Sequence, residues 1–139
     1  MSYTIKEAAE LMNVTPVTLR YYDKQGLLPF MERKKSGYRV FSENDIQLLH
    51  VIECLKKTGM PIKDIRQFTD WLRQGDSTLR ERYAMFLERK RAVEAQMAEL
   101  ENTLDFIDYK CRYYETAIEA GTERIHLEPD NGGEFPCAP

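Results

Sequence analysis

The groups in this 139-residue chain that can do chemistry are three cysteines, two histidines and a run of cationic and tyrosine side chains near its start. Cys54 has the most reactive surroundings. His50 stands four residues before it and Lys57 three after, spacings that share one helical face. Cationic neighbours favour the thiolate, which is the nucleophilic form. Two readings of Cys54 follow: a sensor thiol with His50 beside it, or a small buried hydrophobe, the commoner fate of a free cysteine. Cys111 falls on a helical seam and reads as core. His126 and Cys137 belong to the C-terminal stretch. No Cys-x-x-Cys occurs, so an iron–sulfur cluster is not expected. No metal and no other cofactor is expected either. No nucleophile elbow or phosphate loop is present, and no carboxylate pair has supporting groups, so the chain does not read as an enzyme.

The second set of groups is Thr15, Thr18, Arg20 and Tyr21, followed by Arg33, Lys34, Tyr38 and Arg39. Their side chains donate to phosphates and to base edges, and they make poor core residues. Together they read as a surface for double-stranded DNA.

Two short helices and a hairpin must position them. Thr4 with Glu7 makes a capping box, and Ile5, Ala8, Ala9 and Met12 follow at helical spacing. Asn13-Val14 breaks the pattern. Thr15-Pro16 starts a second helix, which Gly26 and Pro29 stop. Val14, Val17, Leu19 and Tyr22 are expected on its core side. Two helices joined by a tight turn form a helix-turn-helix, whose second helix can enter the major groove. Ser36-Gly37 is a turn signal inside Arg33–Phe41, which reads as a hairpin wing reaching the backbone or minor groove.

Two further helices are expected over 42–74. Ser42 and Asp45 cap the first and Gly59 ends it. Pro61 opens the second, with Ile62, Ile65, Phe68, Trp71 and Leu72 inward. After a break at Gly75-Asp76-Ser77 comes a heptad run: Leu79, Tyr83, Phe86, Lys90, Val93, Met97, Leu100, Leu104, Ile107, Cys111, Tyr114 and Ile118. The steps alternate four and three without a slip. Thr78 and Glu81 are expected to cap it. Such a stripe left in water would expose an extensive apolar seam, so a homodimeric coiled coil is expected. The spacing leaves strand orientation open. After Gly121 periodicity is lost, and the chain reads as a flexible tail.

The expected fold class is mainly α: a winged helix-turn-helix DNA-binding domain at 1–75, a dimerisation coiled-coil helix at 76–120 and a tail at 121–139. The net charge of −3 looks wrong for a DNA binder, but it is unevenly placed. Residues 1–41 hold seven Lys/Arg against four acids; residues 77–139 hold eight against thirteen. The field at the docking face matters more than the sum. No apolar run reaches 18 residues, so no membrane partner is expected. No secretory signal is recognisable, and three cysteines without one point to a reducing cytoplasm.

Several ordered strings resemble the MerR family of bacterial transcription regulators. They are Tyr3–Ala9, Val14–Asp23, Gly26–Pro29 and Gly37–Phe41, with Thr58–Ile65 resembling the turn into that family's fourth helix. The resemblance implies an antiparallel dimer that binds between promoter elements and distorts the duplex so that RNA polymerase engages both. Glu53–Met60 resembles the aldehyde- and electrophile-responsive branch, in which a cysteine near this place is implicated in sensing a stress. Two other readings stand beside this one: a coiled-coil protein-interaction adaptor, and a metal-responsive regulator.

Overall fold

The computed structural model describes residues 1–127. They form two compact units, residues 1–90 and the helical continuation from Arg91. The first unit opens with strand β1 (Ser2–Tyr3) and helices α1 (Ile5–Met12) and α2 (Pro16–Lys24). Thr4 accepts from the Glu7 amide and Glu7 accepts from the Thr4 amide, both at 3.2 Å, so the expected capping box is present. Asn13 ends α1 in the left-handed conformation (φ 55°), which Asn tolerates better than most residues. Thr15 caps α2 by accepting from the Thr18 amide, and Pro16 occupies the first turn.

Strands β2 (Glu32–Arg33) and β3 (Arg39–Ser42) make the expected hairpin, with Arg33 opposite Arg39. Gly37 turns it at φ 87°. A third strand was not expected: β1 pairs antiparallel with the other edge of β3, Tyr3 opposite Phe41, giving the order β1-β3-β2. A two-residue strand is too short to show alternation.

Helix α3 (Glu43–Lys57) starts at the predicted Ser42–Asp45 capping box. Helix α4 (Ile62–Gln74) follows. The core of this unit gathers one face from each element: Ala8 and Ala9, Leu19 and Tyr22, Leu27, Phe41, Leu49, Ile52 and Leu55, then Ile65 and Phe68. Val17 corrects the expectation. It is 69% exposed, because the core side of α2 is carried by Leu19 and Tyr22, three residues apart. Val17 falls on the opposite side with Arg20, Tyr21 and Lys24.

The long helix α5 (Leu79–Ala120) is present, and the unit boundary falls within it. Its start differs from expectation. A short 3-10 turn, Asp76–Thr78, leads straight into it. The buried Thr78 hydroxyl turns back to the carbonyls of Trp71 (2.7 Å) and Gly75 (2.8 Å) and accepts from Arg82 Nε, in place of a box with Glu81. Burial decided this: an enclosed hydroxyl donates to the nearest carbonyls.

In the second unit, residues 121–127, expected as tail, make a turn and a short helix α6 (Arg124–Leu127). His126 stacks on Tyr113 at 4.0 Å between ring centroids, and its Nε2 lies 2.7 Å from Thr116 Oγ1. The Tyr113 hydroxyl donates to Glu123. Residues 128–139, with Cys137 and the rest of the expected tail, lie outside the described residues.

Candidate nucleic-acid interface

The outward side of α2 is built by its caps. With Leu19 and Tyr22 fixed inward, Val17, Arg20, Tyr21 and Lys24 are exposed together, Tyr21 by 47%. Thr18 is half-buried, and its hydroxyl lies 3.0 Å from that of Thr15. One of those two hydroxyls therefore donates to the other and the second stays available. Thr15 is exposed, but its oxygen is already the helix cap.

Beside α2 stands the wing. Lys34 and Tyr38 close its end through a 2.8 Å backbone bond, and both side chains project outward, Tyr38 73% exposed. Arg33 and Arg39 are engaged differently from what their types alone foretold. Both donate to one oxygen of Asp23 at the end of α2, Arg33 Nη2 at 2.6 Å and Arg39 Nε at 2.9 Å. Asp23 is thus the strap that holds the wing to the helix, and sequence reading missed it. A motif string names Asp23 but does not reveal partners 10 and 16 residues away. The Arg33 side chain stays half exposed, while Arg39 is largely covered. A groove of about 420 Å³ separates the wing from the start of the chain, lined by Tyr3, Ile5, Lys6, Lys34, Tyr38 and Arg39.

The inner side of α2 rests on α3 through a polar contact. The Tyr22 hydroxyl donates to Glu53 at 2.6 Å and accepts from Lys56 Nζ at 2.6 Å. The same ammonium lies 5.1 Å from the Tyr22 ring centroid. Burial, and next the bond to the Glu53 carboxylate, push the Tyr22 hydroxyl well above its ordinary pKa of 10. A raised folded pKa keeps Tyr22 neutral in the native chain after it has begun to ionise in the unfolded chain. That stability is full below about pH 10 and is lost as pH rises from there towards the folded pKa. Urea midpoints followed from pH 8 to 11 are expected to fall more steeply in the native protein than in Tyr22→Phe; equal slopes would contradict the assignment.

Cys54 and His50 are both exposed in the single chain, as is Lys57. The buried-hydrophobe reading of Cys54 is therefore set aside for the chain by itself. Cys111 is exposed as well, with its neighbours on the seam. Leu79, Tyr83, Met97, Leu100, Leu104, Ile107, Tyr114 and Ile118 are 49–77% exposed, an apolar row left open among the described residues. Val93 is half-buried. Phe86 is 39% exposed because its ring meets Phe68 edge-to-face at 5.5 Å, so it also serves the first unit's core. A second groove, of about 450 Å³, lies between α4 and the start of α5, where Met60, Asp64, Trp71, Met85 and Arg89 line it. Among the described residues no group of three or more His, Cys, Asp or Glu could hold a metal ion. No described helix is long and apolar enough to cross a membrane.

A helix-turn-helix with a strapped wing and a long helix after it defines a class of DNA-binding regulator, and comparison with known proteins agrees. Residues 3–71 match the MerR HTH family regulatory protein model, and residues 46–108 match the family's DNA-binding model, "MerR, DNA binding". An uncharacterized HTH-type transcriptional regulator of Haemophilus influenzae is 42% identical over 88% of this chain and 90% of its own length. The HTH-type transcriptional regulator ZntR of Escherichia coli is 34% identical over 72% of each chain. Among solved structures, HiNmlR, described as a MerR family regulator lacking the sensor domain and bound to promoter DNA, superposes with a TM-score of 0.82 at 41% identity. It covers 90% of this chain and 99% of its own. The chain belongs to the MerR family of DNA-binding transcriptional regulators, and its relatives are regulators rather than enzymes.

Proposed function

We propose that the protein acts as a homodimer on promoter DNA, with two α2 helices reading successive major grooves of a pseudo-palindromic site. The carrying observation is the division of α2: Leu19 and Tyr22 are buried while Val17, Arg20 and Tyr21 stand exposed beside a wing strapped to the same helix. In this reading Arg20, Thr18 and Tyr21 meet base edges and phosphates. Val17 adds an apolar contact suited to a thymine methyl. Lys34, Tyr38 and the free edge of Arg33 hold the flanking backbone. Arg39, occupied by Asp23, orients the wing.

The uncovered α5 seam supports dimerisation. Charge along α5 supports antiparallel pairing. Residues 79–91 carry Arg80, Arg82, Arg89, Lys90 and Arg91 against two acids, whereas 92–120 carry Lys110 and Arg112 against seven. Opposed ends meet opposite charge only when the helices run antiparallel. Two docking units held this way would bend or twist the duplex between them, and RNA polymerase would meet a reshaped promoter.

The inducer in this reading is a thiol-reactive electrophile or aldehyde at Cys54. The thiol is exposed, and His50 and Lys57 are exposed four residues before it and three after, spacings that share its face of α3. The thiolate adds to a carbonyl carbon, the oxygen takes a proton from water, and a hemithioacetal results.

Binding to a promoter duplex measured against salt, together with peptide mass spectrometry of alkylated protein, tests both parts. Lys34→Ala is expected to reduce the slope of log K against log salt by about one per protomer. Arg20→Ala is expected to cost about 10- to 100-fold in specific affinity. Cys54 is expected to react faster than Cys111 in the DNA-bound dimer, whose seam covers Cys111. Affinity indifferent to salt and to both substitutions would favour the adaptor reading, and a protected Cys54 would remove the electrophile switch.

A further inference from the structure

The polar contact beneath α2 goes beyond anchoring a tyrosine. Three groups converge there: the Tyr22 hydroxyl, the Glu53 carboxylate and the Lys56 ammonium, linked by two 2.6 Å bonds, with Lys56 3.9 Å from Glu53. The other buried side chain of α2, Leu19, is apolar, and apolar contacts carry no directional preference. A hydroxyl that donates to a carboxylate and accepts from an ammonium fixes both distance and angle. The phenol sits on the second turn of α2, one residue past Tyr21 and two past Arg20. Glu53 and Lys56 bracket Cys54, one residue before it and two after.

We propose that Glu53 and Lys56 are positioning residues for DNA recognition: they set the seat of α2 on α3 through the Tyr22 hydroxyl, and they tie that seat to the segment of α3 that carries Cys54. The first half stands on the contact alone. The second rests on the electrophile reading given above. Cys54 lies on the same turns of α3 as Glu53 and Lys56 but not on their face, so a bulky adduct there reaches those two side chains by shifting the α3 backbone. Those two side chains are the ones that grip the recognition helix, so the adduct is felt at Arg20 and Tyr21 without crossing the apolar core.

The experiment is a double-mutant cycle on the full-length protein, using Tyr22→Phe and Glu53→Gln. Tyr22→Phe keeps the ring in the core and removes only the hydroxyl. Affinity is read on a promoter duplex and on a scrambled duplex, with a thermal melt of each variant as control. Each single substitution is expected to lower specific affinity about 5- to 10-fold. The double variant is expected to be no worse than either single. Affinity for the scrambled duplex is expected to change less than twofold, which a merely loosened fold would not achieve. Additive losses, equal losses on both duplexes, or no loss would overturn the proposal.

A second arm follows a fluorescent base analogue at the centre of the promoter duplex before and after alkylation of Cys54. In native protein the adduct is expected to change the signal, and in Tyr22→Phe, labelled to the same extent, the change is expected to shrink at least several-fold. A full change in Tyr22→Phe would refute the tie between Cys54 and α2. A native protein whose alkylation changes nothing would refute the electrophile reading and, with it, the tie. The cycle alone then decides whether Glu53 positions α2 through the Tyr22 hydroxyl, and Lys56→Met in place of Glu53→Gln decides the same for Lys56.

Discussion

Glutamate at both Leu100 and Leu104 is expected to yield a folded monomer that binds a promoter duplex at least about 100-fold more weakly than the native protein. The two leucines are 68% and 56% exposed, and the core formed by the described residues does not include them. Glutamate is a good helix former, and the substitution costs α5 little by itself. The whole effect therefore falls on association. Burying a leucine is worth about 1.5–3 kcal/mol, and a two-fold axis doubles each substitution. Discounting half of that for a partly covered seam still leaves about 3–6 kcal/mol, at least about a hundredfold in the dimer dissociation constant. Seating four carboxylates in an apolar seam adds to it. Sedimentation gives the mass, circular dichroism the helix content, and mobility shift the affinity. A variant that remains dimeric would place the interface elsewhere.

Asp23→Asn is expected to lower the ratio of specific to non-specific DNA affinity about tenfold. Two effects oppose each other here. Removing one negative charge near the docking face strengthens attraction to phosphate, by the few tenths of a kcal/mol that exposed charges command. Against this, the carboxylate is only 15% exposed and accepts from two guanidinium groups. Charge-assisted bonds to such a group are worth about 1.5–3 kcal/mol each. The second effect is larger. It is reinforced by register, because Arg33 and Arg39 stand directly opposite across the hairpin and repel once the shared acceptor is neutral. The wing then leaves the helix while its charge remains. Non-specific affinity is expected to hold or rise slightly as specific affinity falls. Competition binding with a scrambled duplex separates the two, and parallel changes in both would show that Asp23 contributes only charge.

Local chemistry was readable in this chain and distant chemistry was not. The capping boxes at Thr4–Glu7 and Ser42–Asp45 involve residues three apart, and both formed as their types demand. The box at Thr78–Glu81 has the same spacing and did not form, because Thr78 is enclosed against the end of α4, where carbonyls await a donor. Val17 was assigned inward on hydrophobicity alone. The helical angle set by Leu19 and Tyr22 overrode it. The cationic wing was legible as a cluster, but which of its cations are free was not. That depended on Asp23, and its pairing with the wing exists only after the chain has folded back. The Tyr22 contact was hidden for the same reason, since 31 and 34 residues separate its partners. The fold of residues 124–127 against α5 escaped because a four-residue helix has no period to detect.

The groove between α4 and the start of α5 contains Trp71, the chain's single tryptophan. Excited at the red edge of its absorption, where tyrosine is silent, the protein therefore emits from one known place. That place is half-buried beside Met60, Met85 and the Arg89 side chain. Its emission wavelength and its quenching by iodide gauge how tightly the first turns of α5 sit on α4. The molecule thus carries its own optical probe in the unit that holds the helix-turn-helix, and titrations with duplex or electrophile need no dye attached near α2 or the wing.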